Sequence, residues 1–140
     1  MFRRIVVAYD DSQGAQRALA AALTLARADP AEVIAVAVEA HLPRYGATVG
    51  EVEEECKIEQ QECTRWLNRA QAVASEQGVR IDVEIRVGHP AQELLRAADA
   101  VQADLIAIGH SGHSAVWGRF LGSTTDKVSR HAHCSVLIVR

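Results

Sequence analysis

Cysteine is scarce here: three in 140 residues, too few for a disulfide framework. Cys56 and Cys63 stand seven apart on an expected helix, roughly 10 Å along its axis. A bridged pair needs Cα atoms about 4.4–6.8 Å apart, so one helix cannot join them. Both fall on that helix's apolar stripe, which assigns them to core filling. Positive charge is not in excess either. The formal net charge is −3, which argues against a basic nucleic-acid-binding face. No apolar run approaches membrane-spanning length. Met1-Phe2-Arg3-Arg4 leads straight into a short strand and an acidic loop, which is not the layout of a signal peptide, so a cytoplasmic protein is expected. Internal repeats, low-complexity segments and interdomain linkers are also lacking. What is present is a globular balance, 49% hydrophobic and 24% charged. The length suits one domain, residues 1–140, able to bury a proper core.

Along the chain, strand-like and helix-like patterns alternate. Arg4–Tyr9 reads as a buried strand, closed by Asp10-Asp11-Ser12, where Ser12 or Asp11 can cap the next helix. That helix carries apolar residues at helical spacing to about Ala28, where Asp29-Pro30 stops it. Val33–Val38 is a second buried strand, and Ala40–Gly50 reads as a loop. A long helix is expected from about Glu51 to Gln77. Its stripe is Val52, Cys56, Cys63, Trp66, Leu67, Ala70, Val73 and Ala74, and Gly78 ends it. Val79–Val87 alternates apolar and polar residues, as an edge strand with one polar face does. Gly88-His89-Pro90 turns into a helix with Pro90 near its first position. Leu105–Ile108 is a continuous apolar run, Ser123 to about Ala132 a short helix, and Ser135–Val139 the last strand. Five strands alternating with four helices imply a parallel sheet covered on both faces, a three-layer α/β/α fold. Right-handed crossovers and an edge-like third strand give the order 3-2-1-4-5. A ligand crevice then opens where the order reverses, between strands one and four.

The stretch at the end of strand four is the most informative one. Gly109 ends the strand, Gly112 follows, and Gly122 precedes Ser123-Thr124-Thr125 at a helix start. Glycines admit close approach of a ligand to the main chain. A helix N-terminus offers unpaired N–H groups and a positive dipole end, and the hydroxyls add donors. Together these make a phosphate cradle. It is neither a Walker loop, since no lysine follows the glycine, nor the dinucleotide GxGxxG. The plainer alternative is that the glycines make turns and Ser123 caps a helix. By topology, Asp10 at the end of strand one meets this cradle.

Other chemistries fit less well. A receiver-type acidic pocket needs an Asp after strand three and a Lys after strand five. Strand three ends Arg86-Val87-Gly88-His89, and the only lysines are Lys57 and Lys127. His110 and His113 flank the glycine loop, and His131, His133 and Cys134 precede the last strand, but neither group has usual zinc spacing. No nucleophile–base pair with an orienting group recommends a hydrolase. Arg119, in the glycine loop with Trp117 and Phe120, is either a phosphate donor or a solvated charge.

Gly109-x2-Gly112-x9-Gly122-Ser123 resembles the ATP-binding signature of the universal stress protein family. The likeness extends to IVVAYDDS near the start, the Gly88-His89-Pro90 turn and RHAHCSVLIVR at the end. It implies an adenine nucleotide alpha hydrolase-like fold, ATP with Mg²⁺ or Mn²⁺ as ligand, and a regulatory or stress-tolerance role. It implies that Asp10 and Val38 line the nucleoside side. Ile108, Gly109, Gly112, Gly122, Ser123 and Thr124 would hold ribose and phosphates. The family usually has Gly at the position of Asp11, and prolines where His133 and Ser135 stand. Cys134 is then expected to be a buried structural residue. Two other readings remain: a scaffold protein that binds no nucleotide, and a slow ATPase or self-phosphorylating protein. Strand five is apolar, lacks proline and falls at the sheet edge, with no later segment to cover it. A homodimer through Ser135–Val139 is therefore expected, and the resemblance points the same way.

Overall fold

The computed structural model describes residues 1–40, 48–111 and 121–140. Its elements are β1 (Arg4–Ala8), α1 (Gln13–Ala28), β2 (Glu32–Glu39), α2 (Val49–Glu76), β3 (Asp82–Val87), α3 (Pro90–Ala100), β4 (Leu105–Gly109), α4 (Ser123–His131) and β5 (Ser135–Val139). The strands form one parallel sheet in the order β3-β2-β1-β4-β5, as the alternation of patterns predicts.

The sheet divides the interior into two layers, because successive side chains of a strand point to opposite faces. Ile5, Val7, Ala35, Ala37, Leu105 and Ala107 meet α1 and α2 through Leu19, Leu23, Cys63, Leu67 and Ala70. Val6, Ile34, Val36, Ile106 and Ile108 meet α3 and α4 through Leu94, Ala97, Ala98 and Val128. Central β1 and β4 are buried on both faces, which is why they read as continuous apolar runs.

Helix α2 begins earlier than expected, at Val49, because Thr48 and Glu51 form a reciprocal capping box. The Thr48 hydroxyl accepts the Glu51 N–H at 3.2 Å, and the Glu51 carboxylate accepts the Thr48 N–H at 3.2 Å. Gly50 is therefore helical, and residues 41–47 of the expected loop lie outside the described residues. The stripe is also shorter than expected. Cys63, Leu67, Ala70 and Ala74 are buried, whereas Val52 and Val73 are exposed and Cys56 is half-exposed. The first half of α2 has no buried residue, so its apolar residues there are not core.

Strand β3 starts at Asp82 rather than Val79. Gly78 takes φ +72°, and the Val79 N–H returns to the Ala74 carbonyl at 2.9 Å, so 79–81 finish the helix reversal. The alternation then divides less cleanly than it reads. Val83 and Val87 are exposed, while Arg86 is half-buried against Glu84 and Glu93. Pro90 opens α3 with His89 as its N-cap, as expected. Cys134 is half-buried rather than fully buried, set against the Val128 side of the core.

Candidate functional site

At the end of β1 the chain makes a tight, polar turn. The Tyr9 N–H extends the ladder by one bond to the Val36 carbonyl, at 2.9 Å. Asp10 Oδ1 accepts the Ser12 N–H at 3.0 Å. Asp11 takes a left-handed conformation, φ 64°, a region where Asp is one of the few tolerated side chains besides glycine. An aspartate can therefore hold this turn and add a carboxylate to it. The Tyr9 hydroxyl donates to Asp11 Oδ1 at 3.1 Å, and Arg69 of α2 pairs with Asp11 Oδ2. Burial pushes the Tyr9 phenol up to about 12, with the Asp11 hydrogen bond and charge adding to it. Ser12 caps α1, its hydroxyl accepting the Ala15 N–H at 3.1 Å.

At the end of β4 a second turn is pinned from three sides. The His110 N–H donates to the Val139 carbonyl at 2.8 Å, and the Gly122 N–H returns to the His110 carbonyl at 3.0 Å. The buried Thr125 hydroxyl donates to the Gly109 carbonyl at 2.7 Å. Gly109 has a packing reason of its own. A Cβ there would stand 2.7 Å from the Gly14 carbonyl carbon, and a Cβ on Gly14 would stand 2.7 Å from the Ser111 carbonyl oxygen. Helix α1 and β4 thus approach backbone to backbone, with no room for either side chain.

Helix α4 starts with Gly122 as its N-cap, φ −60°, and among the described residues no side chain caps it. Ser123 is the first helical residue, so the reading of Ser123 as the cap is corrected. The first amides of a helix have no partner within it, so those of α4 can take an acceptor from outside the helix.

These turns frame a cleft of about 320 Å³ at the carboxyl ends of β1 and β4. Asp10, Val38, Ile108, Gly109, Gly122, Ser123 and Thr124 all line it. Of the residues singled out from sequence, Gly112 lies outside the described residues, with His113, Trp117, Arg119 and Phe120. His131 is exposed, and His133 pairs with Asp99 at 3.2 Å, near the start of β5. Neither His131 nor His133 lines the cleft.

Sequence reasoning missed several lining residues. Pro90 and Leu94 of α3 form one wall and Trp66 of α2 stands on the other, with Ser111 near the second turn. Trp66 reads as one more residue of an apolar stripe. Only the placement of α2 beside β2 turns it toward the cleft. Thr125, read from sequence as one of the cradle's hydroxyls, also borders the cleft, but its hydroxyl is given to the Gly109 carbonyl, sixteen residues away. The cleft joins an apolar side (Val36, Val38, Leu94, Ile108) to a polar one, where α4 presents amides and hydroxyls. Such a cleft suits a ligand with an apolar ring and an anionic tail.

Comparison with known proteins agrees with the fold. The profile of the universal stress protein family matches residues 1–140. The chain is 38% identical, over the whole of both chains, to a universal stress protein of Thermus aquaticus encoded in the QAH/OAS sulfhydrylase 3′ region. Its fold is similar to that of the universal stress protein UspA of Lactobacillus plantarum, with a TM-score of 0.89, 26% identity, and 99% and 97% of the two chains covered. It is also similar to a universal stress protein solved in complex with cAMP (TM-score 0.76, 28% identity, 99% and 97% covered). A protein of this family from Archaeoglobus fulgidus, solved in complex with dAMP, gives 0.71 and 26%, with 99% and 98% covered. The full-length profile match and the identity to the Thermus protein show that this chain belongs to the universal stress protein family.

Proposed function

We propose that this protein binds an adenine nucleotide, ATP accompanied by Mg²⁺ or Mn²⁺, and acts as a nucleotide-dependent regulatory or stress-tolerance protein. The observation that carries the reading is the meeting of two unlike ends in one cleft. One end is apolar, from Val38 and Ile108, with the Asp10 carboxylate beside it. The other is the start of α4, where Gly122, Ser123 and Thr124 border the cleft. In this assignment adenine rests near Val38, and Asp10 faces the nucleoside. Ile108 and Gly109 border the ribose. The phosphates meet the amides of the Gly122–Thr124 turn, where a helix N-terminus favours negative charge. Gly112 is assigned to the same phosphates. The cation would be carried mainly by the phosphate oxygens, since a bare triphosphate is heavily charged. The similar proteins solved with cAMP and dAMP support the adenine part of the reading.

Native mass spectrometry of freshly purified protein tests it. An ATP mass retained on the protein, and removed by unfolding, is the expected result. A protein that carries no nucleotide and takes up neither ATP nor AMP in a calorimetric titration would leave the scaffold alternative standing.

A further inference from the structure

We infer that Trp66, held over the cleft by a connection from Arg69 through Asp11 to Tyr9, is the wall on which the aromatic base of a bound nucleotide rests. This inference depends on the nucleotide reading above and names the residue that makes that site selective for the base. Among the described residues two aromatic side chains line the cleft, Tyr9 and Trp66. Tyr9 is 3% exposed, so its ring is used up by the core. Trp66 is half-buried: it packs on the α1/α2 side of the core yet borders the cleft. An indole in that position offers a π-face, and every base has one to match it.

The position of Trp66 is set by more than helix packing. Arg69 lies three residues on, so the two side chains leave neighbouring places on the same face of α2. The Arg69 guanidinium grips Asp11, whose carboxylate side chain is 14% exposed and is also held by the Tyr9 hydroxyl. Asp11 stands in the turn that carries Asp10 and the α1 cap, Ser12. The ion pair therefore ties α2 to the turn on which Asp10 is mounted. Arg69 does not line the cleft, so it is a positioning residue and Trp66 the contact.

The test compares ATP with inorganic tripolyphosphate, which carries the anionic tail and no base. Both are titrated by calorimetry, in the presence of Mg²⁺, into the wild-type protein and three variants whose folding is checked by circular dichroism. Trp66→Leu should weaken ATP about tenfold, equivalent to about 1.4 kcal/mol, and leave tripolyphosphate within twofold. Trp66→Phe should keep most of the affinity for ATP. Arg69→Gln should weaken ATP severalfold without affecting tripolyphosphate, and should still report if Trp66→Leu does not fold. Arg69→Lys, as a fourth variant, should restore part of the loss. Wild-type affinity for ATP in Trp66→Leu overturns the inference and leaves the nucleotide reading intact. Equal losses for both ligands also overturn it, since they mean that Trp66 shapes the cleft without touching a base. A wild-type protein that binds no ATP removes both.

Discussion

Gly122 and Gly109 show that two glycines of one motif answer to different constraints. Gly122 has φ −60° and ψ 150°, which any residue adopts, so its backbone alone does not require glycine. Its place beside the first α4 amides does, if phosphates approach there. Gly122→Val should therefore keep the fold and abolish ATP binding, read by circular dichroism and calorimetric titration. An unchanged affinity would take Gly122 out of the site. Gly109 faces the opposite constraint. Its Cβ direction is occupied by the Gly14 backbone at 2.7–2.9 Å, and backbone cannot swing aside as a flexible side chain can. Gly109→Ala should destabilise the protein by about 1–3 kcal/mol, the usual cost of overpacking, measured by urea unfolding. Wild-type stability in that variant would mean that α1 and β4 separate more easily than their packing implies. Asp10 supplies a third test at this scale. Asp10→Ala should weaken ATP by about 1.5–3 kcal/mol and affect tripolyphosphate less. Losses of equal size would put Asp10 on a cation or on the turn rather than on the nucleoside. Asp10 and Gly122 were legible because each ends or opens an element. The Gly14–Gly109 contact was not, since it joins residues ninety-five apart that no local pattern pairs.

Among the elements, the β3–α3 connection carries a cluster of ion pairs. Gly88, at φ +142°, leaves room for Glu93, whose Cγ would be 3.1 Å from a Cβ there. Glu93 is buried and accepts from Arg86 at 3.1 Å and from Arg96 at 2.7 Å, while Arg86 also donates to Glu84 at 2.8 Å. Burial works against the Glu93 carboxylate, but the hydrogen bonds and charges of the two arginines outweigh it and hold the carboxyl below its ordinary value. A carboxyl depressed on folding adds stability that is present above its unfolded value, about 4.3. That stability is lost as pH falls through the lower folded value. Stability should thus decline on acidification below about pH 4.3, and Glu93→Gln should be less stable at pH 7 with part of that acid-side slope gone. Denaturant titrations at pH 7 and pH 3.5 decide it: parallel losses in variant and wild type would assign the acid sensitivity to other carboxylates. Read as sequence, β3 showed alternation and an edge position. Its polar face proves to be tied to α3 by ion pairs, which the pattern of apolar residues cannot register.

At the scale of the whole molecule, β5 is an edge strand, hydrogen-bonded to β4 on one side. Val136, Leu137, Ile138 and Val139 are each half-buried. An apolar edge without proline or charge invites pairing, and antiparallel pairing of two β5 strands about a two-fold axis would close the assembly. The proposal is a homodimer through Ser135–Val139. Sedimentation velocity at micromolar concentration should return twice the mass of the 140-residue chain. A single-chain mass across that range would require another cover for the edge.

The strand count, the parallel α/β alternation and the order 3-2-1-4-5 were determined by the sequence, because burial on both faces marks the central strands and crossover handedness limits their arrangement. The same is true of the glycine–hydroxyl turn before α4, whose residues are adjacent in the chain. Tertiary structure decided which side chains share the cleft. Trp66 and Leu94 belong to helices on opposite faces of the sheet, and both border one cleft only because β1 and β4 end together, side by side, where the connections diverge. It also decided what Asp11 is for. Its neighbours in sequence suggest a cap or a contact, whereas its carboxylate is taken by Tyr9 and by Arg69, fifty-eight residues away. Periodicity reports which face of an element is buried, but not which distant residue will be found there.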